Sequence, residues 1–277
     1  MAKRSLHDRL RRIFRRSPRV NVLRLEGAIG SRGRFQKGIS LESLEDAIDR
    51  AFSGSRLKAV ALVVNSPGGS PAQSALVHDR IRALADEKDV PVVAFVQDAA
   101  ASGGYWLACA GDEIYALTSS IVGSIGVVSS GFGFVDAIAK LGIERRIHTA
   151  GESKAILDPF EPERAEDVER LKALQGEMHD LFKNHVKARR GDRLNDIDDN
   201  LFSGAFWTGE EGRRRGLVDG IGDVRQVMRG RFGEHVRLRG VKSKGGGMLS
   251  RLIPGSRLAG AVAGEIETRA LWARFGL

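Results

Sequence analysis

At 277 residues, with 42% hydrophobic and 29% charged side chains, the chain can bury a sizeable core as one large domain or two small ones, which excludes a disordered or fibrous protein. Its single cysteine, Cys109, excludes an intrachain disulfide and a cysteine-based zinc site, and points to a reducing compartment. The net charge of +9 is concentrated at one end: residues 1–19 hold eight Lys or Arg and one acid, and the nearly neutral remainder argues against nucleic acid as a partner.

Taken in chain order, the basic tail places Leu6, Leu10, Ile13 and Phe14 at helical spacing opposite its arginines. That is the pattern of a basic amphipathic helix able to lie on an anionic membrane surface, and equally of a solvated basic arm. No apolar run is long enough to span a bilayer, and no secretory signal is recognisable. The expected location is the cytoplasm, or the cytoplasmic face of the inner membrane.

Val20–Gly30 reads as a first strand ending in glycines. Ser40–Phe52 carries Leu41, Leu44, Ile48 and Phe52 on one face behind a serine N-cap, the pattern of a helix. Lys58–Val64 is a continuous apolar run, as in a strand buried on both faces. It ends abruptly in Asn-Ser-Pro-Gly-Gly-Ser (65–70), followed by a helix over about 71–85. A strand at 91–96 then leads into Asp-Ala-Ala-Ala-Ser-Gly-Gly (98–104), with a helix beginning near Ser102. Short strands are expected at 112–117, 123–128 and 143–148, and helices at 135–141 and 162–190. The long helix has the stripe Val168, Leu171, Leu174, Met178, Leu181, Phe182 and Val186, read as core or subunit packing. Residues 201–223 form a turn-rich return, 241–247 a linker, and the remainder a patchily apolar helical tail. The domain division is thus 1–19, 20–240 and 241–277.

Alternating strands and helices imply an α/β fold with a largely parallel sheet. In such sheets, sites form beyond the carboxyl ends of the strands, where both 65–70 and 98–104 lie. Ser102 needs a base to become a nucleophile. None of the six histidines stands in a recognisable catalytic context. A lysine serves as base when burial lowers its pKa toward neutrality. Lys154, in a loop of small residues, is a candidate; an exposed surface lysine has the same pattern. Gly68, Gly69 and Gly103 can bring backbone N–H groups close to an oxyanion, although a plain turn also contains Pro-Gly-Gly. Cys109, flanked by Leu107, Ala108 and Ala110, reads as a buried inert thiol.

The blocks NSPGGS, AASGGYWLA, GSIGV, GESKAILDPFEP and FWTGEEGRRRGLVDGIG, in this order, resemble the signal peptide peptidase A family of bacterial serine proteases. The resemblance covers roughly residues 20–229. It implies the Clp-protease/crotonase fold with repeated ββα units, and a dyad of Ser102 as nucleophile and Lys154, 52 residues on, as general base. It further implies Ser124 as the serine that orients the lysine, and an oxyanion hole of Gly69 with Gly103 or Gly68. No cofactor or metal is expected. The family forms homo-oligomers, in whose short members the lysine can come from a neighbouring subunit. The implied substrates are hydrophobic or unfolded peptides, including remnant signal peptides. Typical members carry an N-terminal transmembrane anchor, where this chain has its basic amphipathic tail. Two other readings compete: an acyl-CoA enzyme of the crotonase fold, and a non-catalytic membrane-surface scaffold.

Overall fold

A computed structural model of the chain describes residues 17–30, 38–151, 154–195, 200–241 and 271–277. The basic tail up to residue 16 and the segment 242–270 lie outside the described residues.

The frame is one eight-stranded sheet. Its strands are β1 (Arg19–Glu26), β2 (Leu57–Ser66), β3 (Val92–Ala101), β4 (Glu113–Ala116), β5 (Ile121–Gly123), β6 (Phe206–Thr208), β7 (Gly220–Ile221) and β8 (Arg237–Gly240). The order is β6-β5-β3-β2-β1-β8, with β4 beside β3 and β7 beside β4; every pairing is parallel except β5 with β6. The helices are α1 (Leu41–Ala51), α2 (Pro71–Lys88), α3 (Gly103–Ala108), α4 (Val135–Lys140), α5 (Ala165–Arg190), α6 (Gly209–Arg214) and α7 (Val224–Phe232).

The apolar run of β2 is continuous because both of its faces are covered. Val60, Leu62 and Val64 point to one core with Ile48 of α1 and Val77 and Ile81 of α2. Ala59, Ala61 and Val63 point to the other, with Phe95 of β3 and Met228 of α7. The helices start where the sequence supplies caps. Ser40 and Ser43 form a reciprocal capping box on α1, and Ser70 caps α2 with Pro71 in its first turn.

Two expected strands are corrected. The strand placed at 123–128 ends at Gly123: Gly123 and Ser124 take φ values of 103° and 52°, and the Ser124 N–H bonds the Ala205 carbonyl outside any ladder. Residues 143–148 form no strand; they run mostly exposed after α4, away from any ladder of the sheet. The long helix is present as α5, but only Phe182 and Val186 of its apolar stripe are buried, and Leu174 and Leu181 face outward. The return segment supplies β6, α6 and β7, and the elements α7 and β8 follow it. Residues 271–277 begin in a helical turn and set Phe275 edge-on against Phe206. Among the described residues no helix is long and apolar enough to cross a membrane.

The core strand β3 changes partner part-way. Val93–Val96 pair with β4, and Ala99–Ala101 pair with β5. On its other side Val96 pairs with Val64, but Ala100 pairs with Ser66. Over this step β2 advances two residues and β3 four, a bulge that re-aims the end of β3.

Candidate active site

Ser102 sits where β3 ends and α3 begins. Its φ of 52° and ψ of −124° are strained for a residue with a Cβ and cost about 1–3 kcal/mol. The surroundings hold it there. Its N–H donates to the Gly123 carbonyl at 2.8 Å, and its carbonyl accepts from Tyr105 and Trp106 at 2.8 and 3.1 Å. The hydroxyl makes no capping bond to its own helix, so the strained turn presents a free Oγ beyond the sheet edge.

The loop 66–70 packs directly against this turn. A methyl group built at Gly68 would lie 2.8 Å from Ser102 Cβ and 3.1 Å from the Gly103 nitrogen. One at Gly69 would strike the Ile29 carbonyl, and one at Gly103 would stand 2.5 Å from Ser74 Oγ. Ile29 stitches the loop down: it donates to the Gly68 carbonyl and accepts from the Ser70 N–H, both at 2.9 Å. The Gly68 N–H donates to Ser66 Oγ at 3.2 Å. The N–H groups of Gly69 and Gly103 bond no acceptor among the described residues. A Cβ on Gly103 would lie 3.4 Å from the Gly69 nitrogen. Two free N–H donors therefore stand close together beside the serine, the arrangement an oxyanion needs.

Ser124 follows the residue whose carbonyl holds Ser102 and is 8% exposed. Trp207 of β6 lies over Gly123, where a Cβ would be 2.8 Å from its ring. Lys154 is exposed, in a turn where its N–H donates to the Gly151 carbonyl at 3.2 Å. It belongs to an arm, 128–164, in which α4 buries no residue and Val128, Phe132, Leu141 and Ile143 are more than half exposed. Phe132, Phe134 and Phe160 stack within the arm, and Arg145 lies over Phe160 while pairing with Asp158 at 2.8 Å. Within one chain the fold gathers Ser102, Gly68, Gly69, Gly103 and Ser124, and records no contact between Lys154 and Ser102.

The other groups near α3 are structural. His185 stacks flat on Trp106 at 4.1 Å and meets His78 edge-on at 4.5 Å. Burial pushes His78 below its usual value and His185 down to about 4. His179 reaches the Ile125 carbonyl at 3.1 Å. Burial pushes the Cys109 thiol up to about 12, which makes it a poor nucleophile. Arg190 of α5, only 2% exposed, makes a two-pronged pair with Asp219 at 2.7 and 2.9 Å and bonds the Gly216 carbonyl. Tyr105 of α3 donates to the Leu217 carbonyl at 2.8 Å, so α3 and α5 grip the same loop. Periodicity could not reveal these anchors, since each answers a group brought near it by a distant part of the chain.

The model of peptidase family S49 matches residues 84–234. The chain belongs to peptidase family S49. The chloroplastic serine protease SPPA of Arabidopsis thaliana is 30% identical over 75% of this chain and 30% of its own length. The putative signal peptide peptidase SppA of Enterococcus faecium is 31% identical over 60% of this chain and 48% of its own. A Brucella abortus protein named Na(+)/H(+) antiporter NhaA is 47% identical over 93% of this chain, but over only 37% of itself. The chain thus spans about a third of the first curated relatives it matches. A membrane-bound stomatin-specific protease shares the fold, with a TM-score of 0.51 at 15% identity over 82% of this chain and 99% of its own.

Proposed function

We propose that this S49 peptidase is an endopeptidase that cleaves hydrophobic or unfolded peptides with a Ser102/Lys154 dyad. The observation that carries the reading is the strained Ser102 turn set against two free glycine N–H groups. Ser102 Oγ attacks the scissile carbonyl carbon and its proton passes to the neutral Lys154 amine. The resulting oxyanion is held by the N–H groups of Gly69 and Gly103. When the intermediate collapses, the C–N bond breaks and the leaving amine takes the proton from the lysine. Water then attacks the acyl-serine, giving its proton to the Lys154 amine, which passes it to Ser102 Oγ as the acyl C–O bond breaks and the acid is released. Ser124, beside Gly123, orients the lysine. Two structural neighbours were prepared with a serine or a lysine replaced by alanine, the second with a substrate peptide, which accords with this division of roles.

Lys154 reaches Ser102 in a homo-oligomer, supplied by a neighbouring copy. The exposed apolar residues of its arm support this, because a surface of that kind is normally covered by a partner. An amine seated in such an interface is removed from water, the condition under which amines give up their proton. The fold works next to a membrane: its arm exposes Val128, Phe132, Leu141 and Ile143, and 63% of the Brucella relative lies outside the matched region in a protein named as an antiporter.

The test is hydrolysis of an internally quenched apolar peptide by the parent, Ser102→Ala, Lys154→Ala, and a mixture of the two variants. Both single variants should lose activity, and mixing should restore part of it, since some sites then combine an intact serine with an intact lysine. Parental activity in either single variant refutes the dyad. Inactive variants that stay inactive after subunit exchange refute the shared site.

A further inference from the structure

We infer that Asn65 is a positioning residue that aligns the nucleophile with the oxyanion loop, acting through its side-chain bridge to Asp98 and Ala99. The inference rests on the reading of Ser102 as nucleophile.

The bridge lies at the bulge of β3. Between the pairs Val64–Val96 and Ser66–Ala100, three residues of β3 (Gln97, Asp98 and Ala99) face the single residue Asn65. A ladder that loses register leaves backbone groups without partners. Ala99 is fully buried, and its N–H must find an acceptor. The Asn65 side chain supplies it: Oδ1 accepts from the Ala99 N–H at 3.1 Å, and Nδ2 donates to Asp98 Oδ2 at 2.7 Å. The Asn65 backbone carbonyl meanwhile accepts from the Gly27 N–H at 2.9 Å, at the start of the segment whose Ile29 stitches down Gly68 and Ser70.

One side chain therefore joins the two halves of the site. The oxyanion glycines begin three residues after Asn65, and Ser102 lies three residues after Ala99. With the bridge made, Ser66 pairs with Ala100 and Gly68 comes against Ser102. The bridge is the side-chain tie between β3 and β2 at this step; on the other side of β3, Ser120 Oγ bonds the Val96 and Gln97 carbonyls and β5 pairs with Ala99–Ala101. A carboxamide is required because it presents one acceptor and one donor on adjacent atoms. A carboxylate at position 65 would still accept from Ala99, but would set two anions against each other at the Asp98 contact. Exchanging the two side-chain types restores a donor–acceptor pair with its direction reversed.

The test uses the full-length protein and a fluorophosphonate probe, whose rate of reaction with Ser102 reports nucleophile and oxyanion geometry directly. Steady-state hydrolysis of an apolar quenched peptide is measured beside it. Asn65→Asp should slow labelling and kcat at least tenfold, with KM within about twofold and the melting temperature nearly parental. The exchanged pair Asn65→Asp/Asp98→Asn should recover most of the lost rate, which a purely structural role would not produce. Parental labelling in folded Asn65→Asp, or no recovery in the exchanged pair, overturns the proposal. If Asn65→Asp does not fold, Asp98→Ala at an exposed position takes its place. It should slow labelling about threefold or more at unchanged melting temperature, and a parental rate overturns the proposal. Labelling that persists in Ser102→Ala is a different failure, that of the nucleophile assignment itself.

Discussion

Replacing Gly68 by alanine tests whether an absent side chain is what lets the oxyanion loop approach the nucleophile. The new methyl would stand 2.8 Å from Ser102 Cβ, 2.9 Å from the Ala101 carbonyl oxygen and 3.1 Å from the Gly103 nitrogen. Carbon atoms rest at about 3.5–4.0 Å, so the loop and the Ser102 turn must separate by roughly 1 Å. Overpacking of this kind costs about 1–3 kcal/mol. A side chain at the native φ of 103° adds about 1–3 kcal/mol. The total, roughly 2–6 kcal/mol, is a large part of the 5–15 kcal/mol typical of a folded domain. At about 2–4 °C per kcal/mol for a chain of this size, the melting temperature should fall by roughly 5–20 °C. A 1 Å misplacement at a reacting centre costs about a hundredfold in rate, so kcat should fall by that order in whatever protein stays folded. Calorimetry and peptide hydrolysis measure the two effects. Gly27→Ala is the control, because Gly27 has a φ of 98° and nothing within 4 Å of an added methyl; it isolates the backbone cost from the clash. A Gly68→Ala protein that melts like Gly27→Ala and keeps parental kcat would refute the close approach.

Arg190→Met should destabilise by about 1–3 kcal/mol in urea unfolding, because it takes the guanidinium donor from the buried Gly216 carbonyl and leaves Asp219 to the Ile114 N–H and Arg193. A loss below 1 kcal/mol would show that the pair does not hold α5 in place. Stability should also fall in mild acid. The unfolded chain takes up the His185 proton near 6.5, whereas burial delays it to about 4 in the folded one. The stability is therefore complete above about pH 6.5 and is lost as pH falls toward 4, by at most about 3 kcal/mol from this residue, with His78 acting in the same direction. Melting temperature measured from pH 7.5 to 4 should drop for the parent and less steeply for His185→Phe, which keeps the stacking on Trp106. Parallel curves would remove His185 as the cause.

The local rules of the chain determined much of this protein. Continuous apolar runs buried on both faces require a covered, mostly parallel sheet, and β2 and β3 show it. Serine caps and helical apolar spacing required α1 and α2. The clustering of glycines around one serine marked the site, because only residues without a Cβ allow two backbones to approach so closely. Tertiary structure decided the rest. The Gly123–Ser124 turn cuts off the strand expected at 123–128, and residues 143–148 join no strand of the sheet. Arg190, Tyr105 and Asn65 carry no periodic signal, because each answers a backbone group brought near it by a distant part of the chain. The position of Lys154 relative to Ser102 is of the same kind. Spacing along the chain can name the pair, but only packing sets a distance between residues 52 apart.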